Sequence, residues 1–198
     1  DIRLSKDGKL FLCHDPTLER THDISERIAH LTSAQISKIK GPGTKGDKIP
    51  SLAEALTACK STPVIIEPKG GKWAKPLARA IAKHPNVSKF SIIAFNHHEL
   101  FKFSELCPEV PVLVLENNNS FDAINAARVY GFDGIDVNYW TLNPLAYYLA
   151  KRHSLDVVVY TVDRPWVAKL FSKIYPSVSI TTNVPQNMQS LRLGSKKK

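Results

Sequence analysis

Short apolar runs rich in valine and isoleucine recur along the chain and alternate with longer amphipathic stretches. Each run is apolar at consecutive positions and is followed by polar or turn residues, a pattern typical of strands covered on both faces of a parallel sheet. Strands are predicted at 63–67, 91–95, 110–115, 134–137, 156–161 and 178–181, and one more opens the chain at 1–5. Their alternation with helices predicts right-handed βαβ units.

Helix starts are marked in four places between these strands. Two carry the reciprocal capping box, and two carry a cap residue just before a first-turn proline. The signals are the boxes at 32–35 and 51–54, the pair Asn143 and Pro144, and the pair Asp163 and Pro165. Gly131 is expected to end a helix that begins near Ser120.

Seven strands suit neither of the two common parallel architectures directly. A doubly wound sheet would be expected to carry a glycine-rich loop after its first strand, and none is present. A TIM (β/α)₈ barrel usually needs about 250 residues, whereas this chain has 198. We therefore expect a barrel whose first strand is missing from this chain, as a single domain over 1–192 with a basic tail at 193–198.

Composition narrows the possible partners. Lys and Arg number 27 and Asp and Glu 18, and the formal net charge of +9 favours anionic ligands. The sequence does not alternate arginine with aromatic residues, so it gives no indication of a nucleic-acid partner. No apolar run approaches the roughly twenty residues of a transmembrane segment. Three cysteines match no zinc motif and favour a reducing, cytoplasmic setting, whereas the oligomeric state is left open.

The chain opens with a predicted hairpin around Asp7–Gly8, a dipeptide strongly favoured in tight turns. With those two residues as the loop, Asp1 would pair directly with His14, about 5 Å away between Cβ atoms. A bulged three-residue turn would shift this register by one residue. On hairpin geometry alone, it is equally consistent that Asp1 and His14 are merely polar residues at the solvated ends of the two strands.

The opening segment DIRLSKDGKLFLCHDPTLERT resembles the second conserved block of glycerophosphodiester phosphodiesterases. Further similarity follows in the family's order to about residue 188, and several co-linear blocks are more specific than any one of them. These blocks are IPSLAEAL at 49–56, IIEPK at 65–69, FN at 95–96 and VYTVD at 159–163.

The resemblance implies a TIM barrel of the phospholipase C-like phosphodiesterase type, which hydrolyses small glycerophosphodiesters to glycerol 3-phosphate and an alcohol with a divalent metal. It implies that Asp1 is the aspartate of an ExD motif and Glu67 a further metal carboxylate. It implies that His14 is one catalytic histidine and that Lys69 contacts phosphate. The family's other histidine, in an HRG motif, and the ExD glutamate would lie before Asp1.

The chemistry of a phosphodiester accounts for these residue types. A cation held by carboxylate oxygens neutralises the anionic substrate, and such a ligand set suits Mg²⁺ or Ca²⁺ better than zinc. Lys69 would add a positive charge at a phosphoryl oxygen. His14 would transfer a proton, since histidine ionises near neutral pH.

Several candidates have simpler interpretations. Glu67 and Lys69 could form a surface ion pair. The segment 97–99, His-His-Glu, is more consistent with a helix start than with a metal site. Four aromatic residues could line a pocket for the alcohol of the substrate, although ordinary packing between barrel and helices is the better explanation for any single one. They are Phe95, Tyr139, Trp140 and Trp166.

Two positions depart from the family pattern, because Asp163 stands where an asparagine is usual and Asn183 where an aspartate is usual. Two alternative functions therefore stay open. One is phospholipase D-like action on lysophospholipids, and the other is a non-catalytic barrel fragment that binds phosphorylated ligands.

Overall fold

The computed structural model describes residues 1–41 and 48–188. Its chain forms two compact units, one from Asp1 to Pro111 and one that begins at Val112. The strands are β1 (Ile2–Leu4), β2 (Leu10–Leu12), β3 (Thr17–Leu18), β4 (Ile24–Arg27), β5 (Val64–Ile66), β6 (Phe90–Ala94), β7 (Val112–Glu116), β8 (Gly134–Asn138), β9 (Asp156–Tyr160) and β10 (Val178–Ile180). The α-helices are α1 (Glu19–His22), α2 (Ser33–Ile36), α3 (Leu52–Cys59), α4 (Ala74–Ile81), α5 (His97–Leu106), α6 (Ser120–Tyr130), α7 (Pro144–Arg152), α8 (Pro165–Ile174) and α9 (Pro185–Met188).

The first unit combines two small antiparallel pairs with two parallel strands. β1 pairs with β2 and β3 with β4, both antiparallel, whereas β5 and β6 run parallel. Beneath the hairpin of β1 and β2 lies an apolar cluster that excludes water from its inner face. The buried members of this cluster are Phe11, Leu18, Ile28, Ile36 and Ile49.

The second unit holds four parallel strands in chain order, from β7 through β8 and β9 to β10. β7 and β8 are each buried at four consecutive positions, as expected for strands covered on both faces. Helices α6, α7 and α8 connect these strands, as the βαβ pattern requires. The predicted alternation of parallel strands and helices is thus confirmed in this unit.

All four predicted helix starts are present, and three of them have the predicted cap residue. The hydroxyls of Thr32 and Ser51 both form complete capping boxes, and the Asn143 side chain accepts the Ala146 N–H. Gly131 ends α6 with a left-handed φ of 72°.

The predicted cap at Asp163 is wrong. Arg164 is the cap residue of α8 and makes no side-chain cap bond. The Asp163 carboxylate instead accepts hydrogen bonds from Thr182 and Asn183, about twenty residues later in the chain, so both of its oxygens are already engaged away from the helix start.

The fold class predicted from the sequence is confirmed at the level of parallel strands that are each followed by a helix. Six strands, β5 to β10, have this arrangement in the described residues. The closed eight-stranded barrel stays a prediction, as does the single domain over 1–192. The predicted basic tail at 193–198 lies outside the described residues. Within residues 1–41 and 48–188, no helix has the length and apolarity needed to cross a bilayer.

Candidate active site

The turn of the opening hairpin is one residue longer than the Asp7–Gly8 turn predicted from the sequence. The Ser5 N–H donates to the Lys9 carbonyl at 2.8 Å, so the loop consists of residues 6–8. Gly8 has φ 76°, the left-handed conformation that three-residue hairpin loops require at their last position. The bulged alternative, and not the two-residue turn, is therefore correct.

The longer turn changes which residues face each other. Arg3 pairs with Phe11 in the β1–β2 ladder. Beyond the end of the ladder, the Cys13 N–H donates to the Asp1 carbonyl at 3.1 Å. The predicted direct pairing of Asp1 with His14 is wrong, because His14 follows the residue that lies opposite Asp1.

A short parallel bridge places Asp1, at the start of the hairpin, next to the end of β5. The Ile2 N–H donates to the Glu67 carbonyl at 2.9 Å, and the Lys69 N–H donates to the Ile2 carbonyl at 2.9 Å. Ile2 and Pro68 are bridge partners. Asp1, the residue before Ile2, is thereby placed beside the charged residues that follow β5.

Lys69 joins the two predicted metal carboxylates. Its Nζ lies 3.2 Å from Asp1 Oδ1 and donates a hydrogen bond to Glu67 Oε1. The side chains of Lys69 and Glu67 are only 17% and 15% exposed, whereas that of Asp1 is 34% exposed. Water screens charges weakly at such exposure, so the two carboxylates form a localised negative site with the ammonium between them.

His14 is oriented by its sequence neighbour. Its Nδ1 lies 2.7 Å from Asp15 Oδ1, and Arg20 Nε donates to the other carboxylate oxygen, Asp15 Oδ2, at 2.6 Å. The hydrogen bond to His14 and the one from Arg20 together hold the pKa of Asp15 below its usual value. An ionised Asp15 favours the tautomer that carries the proton on Nδ1, which leaves Nε2 for chemistry.

A cavity of about 380 Å³ contains both Asp1 and His14 in its lining. Arg20, His22 and Lys48 line the same cavity, so cationic and titratable groups surround it. Its remaining wall is largely apolar, from Leu12, Cys13, Leu18, Ile49 and Pro50. The cavity can therefore hold an anionic group and an adjoining carbon chain.

The donor set at Asp1 and Glu67 suits a hard divalent cation. Both side chains offer carboxylate oxygens that already converge on a positive charge, the Lys69 ammonium. Across residues 1–41 and 48–188, no three His, Cys, Asp or Glu side chains form a group that could hold a metal ion. Two protein carboxylates leave several coordination positions for water or substrate, as is common for Mg²⁺.

The aromatic candidates are distributed over both units. The rings of Tyr139 and Trp140 are in contact in a tilted arrangement, with centroids 4.5 Å apart, and they line another cavity of about 180 Å³ with Asp163 and Arg164. Trp166 is 63% exposed on the surface of α8. Phe95, in the first unit, is half exposed after β6.

The two departures from the family pattern contact each other. The Asn183 N–H and side-chain Nδ2 donate to the two oxygens of Asp163 at 2.8 and 3.0 Å. These hydrogen bonds lower the pKa of Asp163, and the one from the backbone N–H of Asn183 has the largest effect. A carboxylate and an amide thus occupy the two positions in the opposite order from the family pattern, and in this chain the two side chains are hydrogen bonded to each other.

The segment His97-His98-Glu99 is a helix start, as predicted. α5 begins at His97, and the Asn96 side chain accepts the Glu99 N–H. Unlike a surface residue, however, Glu99 is buried and accepts hydrogen bonds from the Ala74 N–H and from Lys102. Glu99 therefore links the starts of α4 and α5.

Sequence reasoning missed three charged residues around the cavity. Asp15 directly follows His14, and that spacing could have indicated an orienting role. Arg20 contacts Asp15 from five positions away, a distance at which no regular strand or helix pattern predicts a contact. Lys48 comes close only through folding, because the adjoining segment packs on β2 and Pro50 accepts the Leu12 N–H.

Carboxylate oxygens for a hard cation, an ammonium for a phosphoryl oxygen and an oriented imidazole are the groups that hydrolases of phosphate diesters employ. Similarity to known proteins indicates the same class. A model of the glycerophosphoryl diester phosphodiesterase family matches residues 1–187, and the chain belongs to that family. The enzyme class predicted from the sequence, a glycerophosphodiester phosphodiesterase, is confirmed by this membership.

Similar proteins agree with the assignment. A glycerophosphodiester phosphodiesterase of Caldanaerobacter subterraneus is 26% identical over 176 residues, which are 83% of this chain and 72% of that protein. A glycerophosphodiester phosphodiesterase structure from Parabacteroides distasonis matches with a TM-score of 0.81 at 22% identity, over 96% of this chain and 81% of the other. An Oleispira antarctica phosphodiesterase, solved with its product sn-glycerol 3-phosphate, has a TM-score of 0.83 at 19% identity and 96% and 82% coverage. The structural matches support a TIM-barrel type of fold.

Proposed function

We propose that the protein hydrolyses glycerophosphodiesters to glycerol 3-phosphate and an alcohol. Family membership supports the reaction class. The observation that carries the site is the convergence of Asp1 and Glu67 on Lys69, next to a cavity that Asp1 shares with His14. The substrate's phosphate would bind at the charged end of that cavity, where Arg20 and Lys48 add positive charge.

Enzymes of this family generally depend on a divalent metal ion. We propose that Asp1 and Glu67 hold Mg²⁺ or Ca²⁺, because their oxygen ligands suit hard cations and leave coordination positions open. When bound, such an ion neutralises charge on the phosphodiester and orients it for attack.

Lys69 is assigned to a phosphoryl oxygen. Its ammonium contacts both carboxylates at 17% side-chain exposure. The ammonium would be repelled by a metal ion held by the same two carboxylates and would turn toward the phosphate, where a cation stabilises charge that develops in the transition state. Its three N–H donors allow Lys69 to keep one carboxylate partner and donate to phosphate as well.

His14 is assigned to proton transfer through Nε2. Asp15 accepts from Nδ1 and is itself fixed by Arg20, which stabilises the ring orientation and the imidazolium form. A proton held at Nε2 can pass to the oxygen of the leaving alcohol, and the neutral ring can accept one from the attacking hydroxyl.

Two groups implied by the family resemblance have no counterpart among the 198 residues. They are the histidine of the HRG motif and the glutamate of the ExD motif. We propose that full turnover requires a chain that carries both groups. A cytoplasmic location also stays a proposal, supported by the fact that the three cysteines are free thiols.

A product assay tests the function. In a chain that carries both of these groups, release of glycerol 3-phosphate from glycerophosphocholine should stop on chelation and return with Mg²⁺ or Ca²⁺. His14→Ala and Glu67→Gln should each lower kcat by roughly 10²–10⁴-fold, as expected for loss of an acid–base group or a metal ligand. His153→Ala and Glu105→Gln are matched controls, because both residues are exposed and distant in sequence from the site.

Three outcomes would contradict the proposal. Full turnover in His14→Ala would remove the role of that residue, and activity unaffected by chelation would remove the metal. Release of choline from lysophosphatidylcholine, without turnover of glycerophosphocholine, would establish the phospholipase D-like alternative instead.

A further inference from the structure

Helix α8 carries an apolar stripe on its outer face. Trp166, Leu170 and Ile174 follow one another at intervals of four residues and are 63%, 46% and 49% exposed. Residues four apart lie on the same side of a helix, and this stripe extends over about 12 Å. Three large apolar side chains are therefore aligned toward solvent.

The stripe is not needed for packing of the second unit. α8 already buries Val167 and Ala168 on its inner face. Phe171 makes edge contacts with the rings of Tyr139 and Tyr175. The helix is thus apolar on both faces, whereas an ordinary surface helix is polar on the outer one.

Helix α4 of the first unit provides the contrast. It buries Ala74, Leu77 and Ile81 and exposes Lys75 and Arg79. This is the distribution expected where a helix faces water. The outer face of α8 differs from that of α4 because it exposes large apolar residues, although both helices connect parallel strands.

Positive charge lies beside the stripe. Lys169 and Lys173 are exposed, and at 100° per residue they lie next to Trp166 on the outer face. The segment from Pro165 to Ile174 contains no acidic residue, and the exposed pair of opposite charges that precedes it, Asp163 and Arg164, adds no net charge. The outer face of α8 is therefore half apolar and half cationic.

We propose that this face of α8 binds the surface of a lipid bilayer that contains anionic headgroups. A helix with aromatic and aliphatic residues beside lysines can lie in the plane of the interface, with its apolar residues among the acyl chains and its cations at the headgroups. Tryptophan is favoured at that boundary because its ring is apolar and its N–H is polar. The net charge of +9 adds long-range attraction.

A second copy of the chain is a less suitable partner for the same face. A two-fold symmetric contact places the same patch on both sides of the interface. The lysines Lys169 and Lys173 of both copies would then lie in one interface, with no acid on the helix to compensate them. Anionic lipid headgroups supply the missing counter-charge.

Vesicle co-sedimentation tests this proposal without any assay of hydrolysis. The protein should bind phosphatidylcholine vesicles that contain phosphatidylglycerol and should bind pure phosphatidylcholine much more weakly. Leu170→Ser with Ile174→Ser should weaken binding about tenfold or more, since apolar insertion scales with buried area. Lys169→Glu with Lys173→Glu should weaken it by a similar factor and reduce its dependence on salt.

Matched controls separate the face from general basicity. Val129→Ser removes another exposed apolar residue, and Lys38→Glu with Lys83→Glu makes the same charge change in the first unit. Val129→Ser should leave vesicle binding unchanged. The Lys38 and Lys83 variant should weaken it much less than the α8 variant does.

Tryptophan fluorescence gives an independent readout. In a Trp140→Phe background, lipids brominated in the acyl chain should quench the emission of Trp166, because the other tryptophan, Trp73, is buried. Full binding of the Leu170 and Ile174 variant, or no quenching of Trp166, would overturn the proposal. A dimer that the same variant dissociates would assign the face to a second copy and would also overturn it.

Discussion

Asp15 connects a histidine to an arginine, and its effect on the reaction is separable from that of His14. We predict that Asp15→Asn lowers kcat about 10- to 100-fold with little change in KM, because the amide holds His14 but stabilises its imidazolium less well. The pH dependence of kcat should shift with the substitution. Asp23→Asn, an exposed acid in the same unit, is the control and should behave like the wild type.

Lys69 is the second residue whose role can be isolated. We predict that Lys69→Met lowers kcat/KM about 10²-fold or more, whereas Lys69→Arg recovers part of the loss, since a cation near the phosphate is restored. Lys75→Met, on the exposed face of α4, should leave the kinetics unchanged. Equal effects of the Met and Arg variants would show that shape and not charge matters at position 69.

Individual site residues could be selected from the sequence, but their contacts could not. Asp1, Glu67 and Lys69 were chosen from a family resemblance, and the structure brings them together through the Ile2 bridge. The spacing of Glu67 and Lys69 allows an ion pair between them, but nothing in the sequence indicates that the Lys69 ammonium also contacts Asp1. Such a contact depends on the relative position of a hairpin and a strand that are about sixty residues apart.

At the level of elements, the opening hairpin is fastened to α2 by one carboxylate. Asp7 accepts hydrogen bonds from the Ser33 N–H at 2.8 Å, from the Ser33 hydroxyl at 2.6 Å and from Ser5 at 2.7 Å. The pKa of Asp7 is lowered from 3.8 to about 2, mainly by the hydrogen bond from the Ser33 hydroxyl and next by that from the Ser5 hydroxyl. The ionised carboxylate therefore joins the turn to the start of a helix.

This linkage predicts a pH dependence of stability. A folded-state pKa below the unfolded value contributes stability that is complete above about pH 4 and is lost as the pH falls toward 2. Asp7→Asn should lower the unfolding temperature near neutral pH, and its difference from the wild type should shrink in acid. Thermal unfolding followed by circular dichroism across that range is the measurement. A constant difference at every pH would contradict the assignment.

Gly134 determines how closely β8 approaches β9. A Cβ at this position would lie 2.5 Å from the Asp156 carbonyl oxygen, too close for any side chain without a backbone shift. We predict that Gly134→Ala destabilises the protein by about 1–3 kcal/mol, in line with other overpacked sites. Gly71→Ala is the control, because its Cβ would meet nothing within 4 Å. Chemical denaturation of both variants measures the difference.

Helix caps whose signals are local were predicted well, whereas the length of the opening turn and the partner of Asp163, which depend on residues distant in sequence, were not. The boxes at Thr32 and Ser51 satisfy N–H groups within three residues, so the sequence contains all the information. The turn at Asp7–Gly8 allows loops of two or three residues, and tertiary contacts such as Asp7 to Ser33 favour the longer one. Asp163 failed as a cap because Asn183, twenty residues later, competes for its oxygens.

For the whole molecule, the excess of positive charge should affect substrate capture. Phosphodiesters are anions, and a net charge of +9 raises their local concentration at low ionic strength. We predict that KM for a glycerophosphodiester rises several-fold as salt screens this field, whereas kcat changes little. Steady-state kinetics over a salt series measures both. An uncharged inert solute at equal osmolality is the control, and a KM that is indifferent to salt would contradict the prediction.

The backbone bridge at Ile2 makes one side of the candidate site stiffer than the other. The N–H and the carbonyl of Ile2 are both hydrogen bonded to the residues around Pro68, so the backbones of Asp1, Glu67 and Lys69 can change their separation only if these bonds break. His14 follows the other strand of the hairpin, and Arg3 holds its carbonyl through a side chain that can rotate. We therefore expect the distances between the backbones of Asp1, Glu67 and Lys69 to stay the same when different ligands bind. Accommodation of larger or smaller alcohols should come from movement of the imidazole.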